Sequence, residues 1–408
     1  MFKFDFEIED AEEQAERTQD STIPGRDEAI DAPRPAREST EHSLPDLLSN
    51  GPPSISFSPL NIRTNAHDSL TLARRDLFDA RFQLIASEPD DMADDGTQSS
   101  TENALEFLDA PSDLVPGIYE GGLKTWECSI DLAECLHQTL GDAPGSRLHG
   151  KKILELGCGT AVPSLYAMHQ LFSVTPSANS IHENVVVLQD YNELVLRLVT
   201  LPNAILTWYM SPASHPFRAS YQPSTDDPEV EEEPLPPADS TQPGTLPFSQ
   251  ALITAFLASL KEYRIALRFF SGSWEAFDIA RAGGPFDIVL TSETIYRPES
   301  LPALVRVMRS ACVPADGLAE GTARMTIRDT LGEDGRAPYL CLVAAKRVYF
   351  GVGGGVAEFV KAVEEHSVEE GASAPSPQQS SPSSKVETVW ERTEGVKRIV
   401  MRVFWGQS

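Results

Sequence analysis

Apolar positions along this chain change their period several times, and each change marks an element. In WECSIDLAECLHQTL (Trp126 to Leu140), Trp126, Ile130, Ala133 and Leu136 or Leu140 share one helical face. Lys151 to Leu156 predicts a strand and Thr160 to Leu171 a helix. NVVVLQ (Asn184 to Gln189) is a fully apolar strand stopped by Asp190; Tyr191 to Val199 predicts a helix, and Asn203 to Tyr209 a further strand. Phe248 to Tyr263 has helical spacing, and strands follow at Ala266 to Phe270 and Phe286 to Leu290. Pro298 stands near the first turn of a helix that reaches Ala311, where a missing N–H is tolerated. Tyr339 to Ala345 is a buried strand, followed by a glycine-rich turn, YFGVGGG, and a helix from Val356 to Glu365. Glu387 to Arg392 and Lys397 to Trp405 close the chain as two strands.

Short, continuously apolar strands separated by helices mean a parallel sheet covered on both faces. The last two strands have only a loop between them and should pair antiparallel. The expected fold is α/β: a doubly wound, mostly parallel sheet of seven strands with an antiparallel final strand. Other stretches carry no such pattern. Met1 to Ile8 alternates Phe2, Phe4, Phe6 and Ile8 with charge, so it reads as a short strand or an extended docking segment. Glu9 to Pro53 and Glu88 to Glu102 are polar without periodicity. Ser211 to Gly244 holds eight prolines and the acidic run DDPEVEEEP, and Ser367 to Ser384 is rich in Ser and Pro. We therefore expect a mostly disordered region at 1–112 with a short Phe-rich start. One domain should follow at 113–408, interrupted by disordered insertions at 211–247 and 367–386.

Composition narrows the function. Among 408 residues there are 61 acidic and 33 basic ones, for a net charge of −28. A general nucleic-acid binder needs a positive face, so direct nucleic-acid binding is not expected. A negative protein attracts basic partners, unless the charge merely solvates the tails. Five cysteines, Cys128, Cys135, Cys158, Cys312 and Cys341, form no CxxC pair, so no metal is expected. Reduced thiols fit a cytoplasmic and nuclear protein. MFKFDFEIED carries acids too early for a secretory or mitochondrial signal. The longest apolar windows, such as ALITAFLASL, are far short of the roughly 20 residues of a membrane helix.

In an open α/β sheet, ligands sit outside the carboxyl ends of the strands. Four polar clusters lie at such ends: Gly157 and Gly159, Asp190, Gly272 to Trp274, and Ser292, Glu293 and Tyr296. A dinucleotide fold requires G-x-G-x-x-G to receive a pyrophosphate. Here Thr160, Ala161 and Val162 follow Gly159, so the third glycine is missing, and Glu155 is a poor neighbour for phosphate. E-x-G-x-G suits a ligand with a nucleoside, a cationic end and no phosphate. S-adenosylmethionine is such a ligand, and Asp190 would accept hydrogen bonds from its ribose hydroxyls.

Together YEGGLKTWECSIDL (from Tyr119), ELGCGTAVPS, LQDYN, SGSW, LTSETIY and YFGVGGG resemble the protein-histidine methyltransferase family of eukaryotes. The resemblance spans Val115 to Trp405 in order, and the Phe-rich start is similar too. Departures are the acidic insertion, the Ser/Pro loop and Ala161, where that family usually has glycine. The resemblance implies the seven-β-strand, Rossmann-like class I methyltransferase fold. It further implies cofactor contacts from Thr125, Trp126, Glu127, Cys128, Ser129, Gly157, Gly159, Gln189, Asp190, Tyr191, Gly272, Ser273, Trp274 and Ser292. Other readings stand beside these: core packing for Trp126 and Trp274, a helix cap for Asp190, and a flexible turn for Gly353 to Gly355.

Methyl transfer from a sulfonium needs an uncharged nucleophile in line with the methyl carbon. A neutral histidine meets that need with little help from a base. The catalytic candidates are Glu293, as acceptor of the ring N–H directly or through a relay, and Tyr296, as a wall or hydrogen-bonding partner. Alternatively, the Glu293 carboxylate grips the backbone of the cofactor-side loop. The resemblance implies a histidine of a large-subunit ribosomal protein, methylated on the tele nitrogen by a monomeric enzyme. Two rival functions remain: a protein-lysine methyltransferase of the same fold, and a non-catalytic module that holds a ribosomal protein during assembly. A nicotinamide oxidoreductase is a weaker third.

Overall fold

The computed structural model describes residues 37–65, 67–86, 122–176, 182–221, 234–313, 337–349, 354–369 and 384–406. The main sheet is built from β1 (Thr40–His42), β4 (Lys152–Leu156), β5 (Asn184–Asp190), β7 (Ile265–Ser271), β8 (Ile288–Ser292), β9 (Leu340–Lys346), β10 (Lys385–Arg392) and β11 (Arg398–Phe404). Its order is β1-β7-β5-β4-β8-β9-β11-β10. β4 pairs parallel with β5 and β8, β5 with β7, and β8 with β9. β11 lies antiparallel between β9 and β10. Counted from β4, this is the doubly wound order 3-2-1-4-5 with a reversed last strand inserted before the sixth.

Alternate residues of each central strand feed opposite layers. Ile153, Val186, Leu188 and Leu290 join one core, and Leu154, Leu156, Val187 and Val289 the other. Both faces are apolar, which is why the strands read as continuous runs. Helices α3 (Glu127–Leu140) and α5 (Val162–Phe172) contribute to the first core. Helices α9 (Leu301–Cys312) and α10 (Val356–Glu369) contribute to the second.

Three expectations need correction. First, the sheet has eight strands, because β1 adds antiparallel to β7 with Thr40 opposite Ser271. Only three residues long and polar (TEH), it carries no apolar signal. Second, part of 1–112 is folded. β2 (Ser54–Arg63) and β3 (Ser69–Arg75) form a second sheet with β6 (Gly244–Pro247), flanked by α1 (Leu44–Ser49) and α2 (Leu77–Ala86). Ile55, Phe57, Leu60 and Ile62 of β2 are buried. Pro59 sits beyond the stretch that pairs with β6, where its missing N–H costs no ladder bond. Third, Asn203–Tyr209 is helical, the end of α6 (Glu193–Tyr209), which contains a π turn at Leu196–Thr200. Its Leu201–Tyr209 part is packed between α5 and β3 and is buried all round, with only Asn203 and Thr207 polar.

The insertions also fold at their ends. A short helical turn (Pro212–Ser214), helix α7 (His215–Ser220) and β6 lie inside 211–247. There Pro212 and Pro216 occupy first-turn positions that suit them. α10 extends to Glu369 and β10 begins at Lys385, trimming 367–386 from both sides. The Phe-rich start, Glu88 to Glu102, residues 222–233 and residues 370–383 lie outside the described residues. α4 (Pro144–Leu148) packs on α5, and α8 (Gln250–Glu262) on β7. No single described helix is long and apolar enough to cross a membrane.

Candidate active site

The carboxyl ends of β4, β5, β7, β8 and β9 open onto one cavity of about 1260 Å³. The turn after β4 is left-handed at Gly157 (φ +60°), Gly159 (+51°) and Ala161 (+60°). A Cβ on Gly157 would lie 2.7 Å from Thr294 Cγ2, and one on Gly159 3.2 Å from the Gly122 carbonyl oxygen. The chain's own packing therefore demands both glycines, besides any ligand. At Ala161 the same conformation costs ~1–2 kcal/mol, which accounts for glycine being usual there. From the π turn, the Thr200 hydroxyl donates to the Gly159 carbonyl at 2.7 Å.

Glu155 caps α5. Its buried Oε2 accepts the Ser164 N–H at 3.0 Å, at the helix end that a dinucleotide fold offers to pyrophosphate. The N–H that would meet a pyrophosphate is already taken from within, which argues against the nicotinamide reading. Burial, with Asp190 nearby, pushes the Glu155 carboxyl from 4.5 up to about 8. Between those two values the folded chain holds a proton that the unfolded chain has released. Stability from this group is thus complete below pH 4.5 and is lost as pH rises through about 8. In denaturant titrations, the midpoint of the parent chain should fall relative to that of Glu155→Gln across this window. Parallel curves would contradict the burial argument.

Asp190 bridges two turns. Its Oδ2 accepts the Gly159 N–H at 2.9 Å and its Oδ1 the Asn192 N–H at 3.0 Å. Asp190 is not the helix cap, since α6 (Glu193–Tyr209) has Asn192 at that position, and the carboxylate lines the cavity. Gln189 is buried behind the wall. Its Oε1 accepts from Trp274 Nε1 (2.9 Å) and Gly157 N (3.3 Å), and its Nε2 donates to the Gly272 carbonyl (2.8 Å). It clamps the glycine turn to the SGSW loop. Trp274 both packs and lines the cavity.

On the other side, Glu293 has φ +56°, a rare conformation for a residue with a side chain and one that marks functional sites. Its Oε2 accepts the Tyr349 O–H at 2.6 Å, and the Tyr349 oxygen accepts the Lys346 N–H at 3.3 Å. Its Oε1 is buried without a conventional hydrogen bond, beside the Cys128 thiol. Burial raises the Glu293 carboxyl, while Cys128, Tyr349 and Lys346 oppose that shift. The carboxylate meets the Tyr349 and Cys128 side chains, while the Glu293 backbone N–H donates to the Ala344 carbonyl.

Trp126, Ser129, Tyr191, Gly272, Ser273 and Ser292 line the same cavity, with Glu293 and Tyr296. Lys346 Nζ lies 5.0 Å from the Trp126 ring centroid. Four expected contacts stand outside the wall. Thr125 bonds Thr160 Oγ1 at 3.1 Å, Glu127 is exposed, and Cys128 and Gln189 are buried. Gly354 approaches closely: a Cβ there would lie 2.3 Å from the Tyr296 carbonyl oxygen, so the turn is packed rather than loose. Gly353 lies outside the described residues. Arg37, Lys346 and Lys397 line the cavity without any local signal, whereas Tyr349 opens the YFGVGGG stretch.

No family model matches the chain. Magnesium protoporphyrin IX methyltransferase from Synechocystis PCC 6803 covers 80% of this chain and 93% of its own at 9% identity. Its TM-score of 0.29 is too low to bear on the fold, which rests on the strand order. Sequence relatives are much nearer. Histidine protein methyltransferase 1 of Schizosaccharomyces pombe is 33% identical over 294 residues, 71% of this chain and 68% of the relative. Histidine protein methyltransferase 1 of Saccharomyces cerevisiae is 31% identical over 293 residues, 71% and 67% of the two chains. The Rattus norvegicus homologue is 32% identical over 261 residues, 63% and 53%. With identity at this level across two thirds of the yeast proteins, the chain belongs to the histidine protein methyltransferase family.

Proposed function

We propose that this chain methylates a histidine side chain of a protein, on the tele nitrogen, with a large-subunit ribosomal protein as substrate. One observation carries the chemistry: Asp190 and Glu293 line one cavity. The family's methyl donor is S-adenosylmethionine, and the residues fit it. Asp190 offers an acceptor for vicinal hydroxyls, and Glu155 already holds the helix N-terminus where a phosphate would sit. When bound, this cofactor supplies an electrophilic methyl group on a sulfonium.

The residues of the chain supply positioning. The Glu293 carboxylate accepts the N–H of the target imidazole in place of the Cys128 thiol, leaving the lone pair of the other nitrogen free to react. The same carboxylate faces the positive charge that develops on the ring as it is alkylated. Tyr349 holds the other carboxylate oxygen, so the side chain cannot turn away. Tyr296 lines the cavity beside Tyr349, with ring centroids 6.4 Å apart. The ribosomal target and the tele nitrogen follow the family resemblance; the net charge of −28 is compatible with a basic substrate. Buried cysteines that form no disulfide agree with action in the cytoplasm and nucleus, as a monomer.

The test is to incubate the chain and labelled S-adenosylmethionine with ribosomal proteins from cells that lack the enzyme, then analyse the labelled product. Tele-methylhistidine at one site in a large-subunit protein is expected. Labelled methyl-lysine, or no labelled protein from a cofactor-binding chain, would overturn the proposal.

A further inference from the structure

The strand order lays the cavity out as a row. Glu293 follows β8, Gly157 follows β4, Asp190 ends β5, Gly272 and Ser273 follow β7, and Arg37 precedes β1 at the outer edge. Arg37 is tied into this edge. Its carbonyl accepts both the backbone N–H (3.1 Å) and the hydroxyl (3.0 Å) of Ser273. Gly272, at φ +113°, leaves no room above it: a Cβ there would lie 2.2 Å from the Glu38 carbonyl oxygen. Farther along, Glu41 pairs with Arg268 at 2.7 Å, and His42 bonds Ser271 at 2.8 Å. The Arg37 guanidinium lies 5.5 Å from the Tyr191 ring centroid and lines the cavity next to Asp190.

We infer that Arg37 is a binding residue for the purine base of the cofactor, held in place by the strap Arg37–His42. This rests on the proposed use of S-adenosylmethionine. If the hydroxyls of the ribose meet Asp190, the reacting end points along the row towards Glu293 and the base points the other way, towards Ser273 and Arg37. A planar guanidinium already lying over an aromatic ring suits the flat π face of a purine and can donate to its ring nitrogens. The strap lies more than a hundred residues before the glycine turn in sequence, and sheet order alone brings it to the site.

Isothermal titration of the full chain with S-adenosylhomocysteine and with methylthioadenosine, which keeps the nucleoside but lacks the amino-acid end, tests this. Arg37→Ala should weaken both ligands by about the same factor, roughly tenfold. Arg37→Lys, which keeps the charge but loses the planar fork, should restore only part of that loss. The unfolding midpoint without ligand should stay at the parent value. Unchanged affinity for both ligands overturns the inference. So does a loss confined to S-adenosylhomocysteine, which would move Arg37 to the amino-acid end, or full recovery with lysine, which would leave only a charge effect. If the parent chain itself fails to bind S-adenosylhomocysteine, the proposed cofactor is wrong, a result distinct from all of these.

Discussion

Glu293→Gln should lower kcat for histidine methylation by about 10²–10⁴-fold while leaving the affinity for S-adenosylhomocysteine unchanged. The reason lies in Tyr349. Its oxygen already accepts from the Lys346 N–H, so what it offers the neighbouring side chain is its proton. A glutamine would turn its carbonyl oxygen towards that proton and present its NH₂ to the substrate. The imidazole would then accept at this nitrogen and carry its own proton on the nitrogen that must react. The wrong tautomer is bound, and the ring must first exchange it. Removing the hydroxyl frees the amide to flip, so the double variant Glu293→Gln with Tyr349→Phe should be faster than Glu293→Gln alone. Tyr349→Phe by itself should be slower than the parent. Steady-state kinetics on the four proteins form a cycle. If the double variant is no faster than Glu293→Gln, tautomer control by this pair is wrong. If cofactor affinity falls together with kcat, the carboxylate serves the cofactor-side loop instead.

Asp131→Ala should destabilise the folded chain by about 3–5 kcal/mol. Asp131 lies in α3 and is 1% exposed. Its Oδ2 receives Arg398 Nε of β11 at 2.5 Å, and its Oδ1 lies 3.5 Å from Arg392 Nη2 of β10. The helix that carries Trp126 and Cys128 at its start is thus stapled to the reversed strand. Alanine would leave Arg398 buried with its charge unbalanced, and that residual cost, rather than the lost attraction, dominates. The check is equilibrium denaturation monitored by tryptophan fluorescence. Asp131→Leu combined with Arg398→Met should recover most of the loss, because a well-packed apolar pair avoids the desolvation of both ions. A loss below about 1 kcal/mol for the alanine variant would place this pair with ordinary surface ion pairs.

Much of the site is legible from local chemistry. The central strands show as apolar runs because both faces of the sheet are covered there, and the structure shifts the ends of the seven expected strands by no more than two residues. Gly157 and Gly159 announce a turn that other side chains cannot take, and Asp190 stands where a strand must end. Their roles as neighbours of one cavity follow from the rule that strand ends collect the ligand. Two readings differ from the structure. Gln189, a contact implied by the resemblance, bonds Gly157, Trp274 and Gly272 behind the wall. Asn203 to Tyr209 reads as a strand because the segment is mostly apolar and buried on all sides, though it is helical.

Spacing along the chain settles which segments turn helical, which extend, and where the backbone must bend sharply, since these depend on neighbours a few residues apart. It says nothing of Arg37, Lys346 or Lys397, or of the three-residue strand at Thr40. Arg37 and Thr40 lie some three hundred residues before the two lysines, and all converge only when the strands take their order. That order minimises exposed apolar surface over the whole sheet at once, a sum no short window contains, so the pairing of Glu293 with Tyr349 and of Arg37 with Tyr191 belongs to the folded molecule alone.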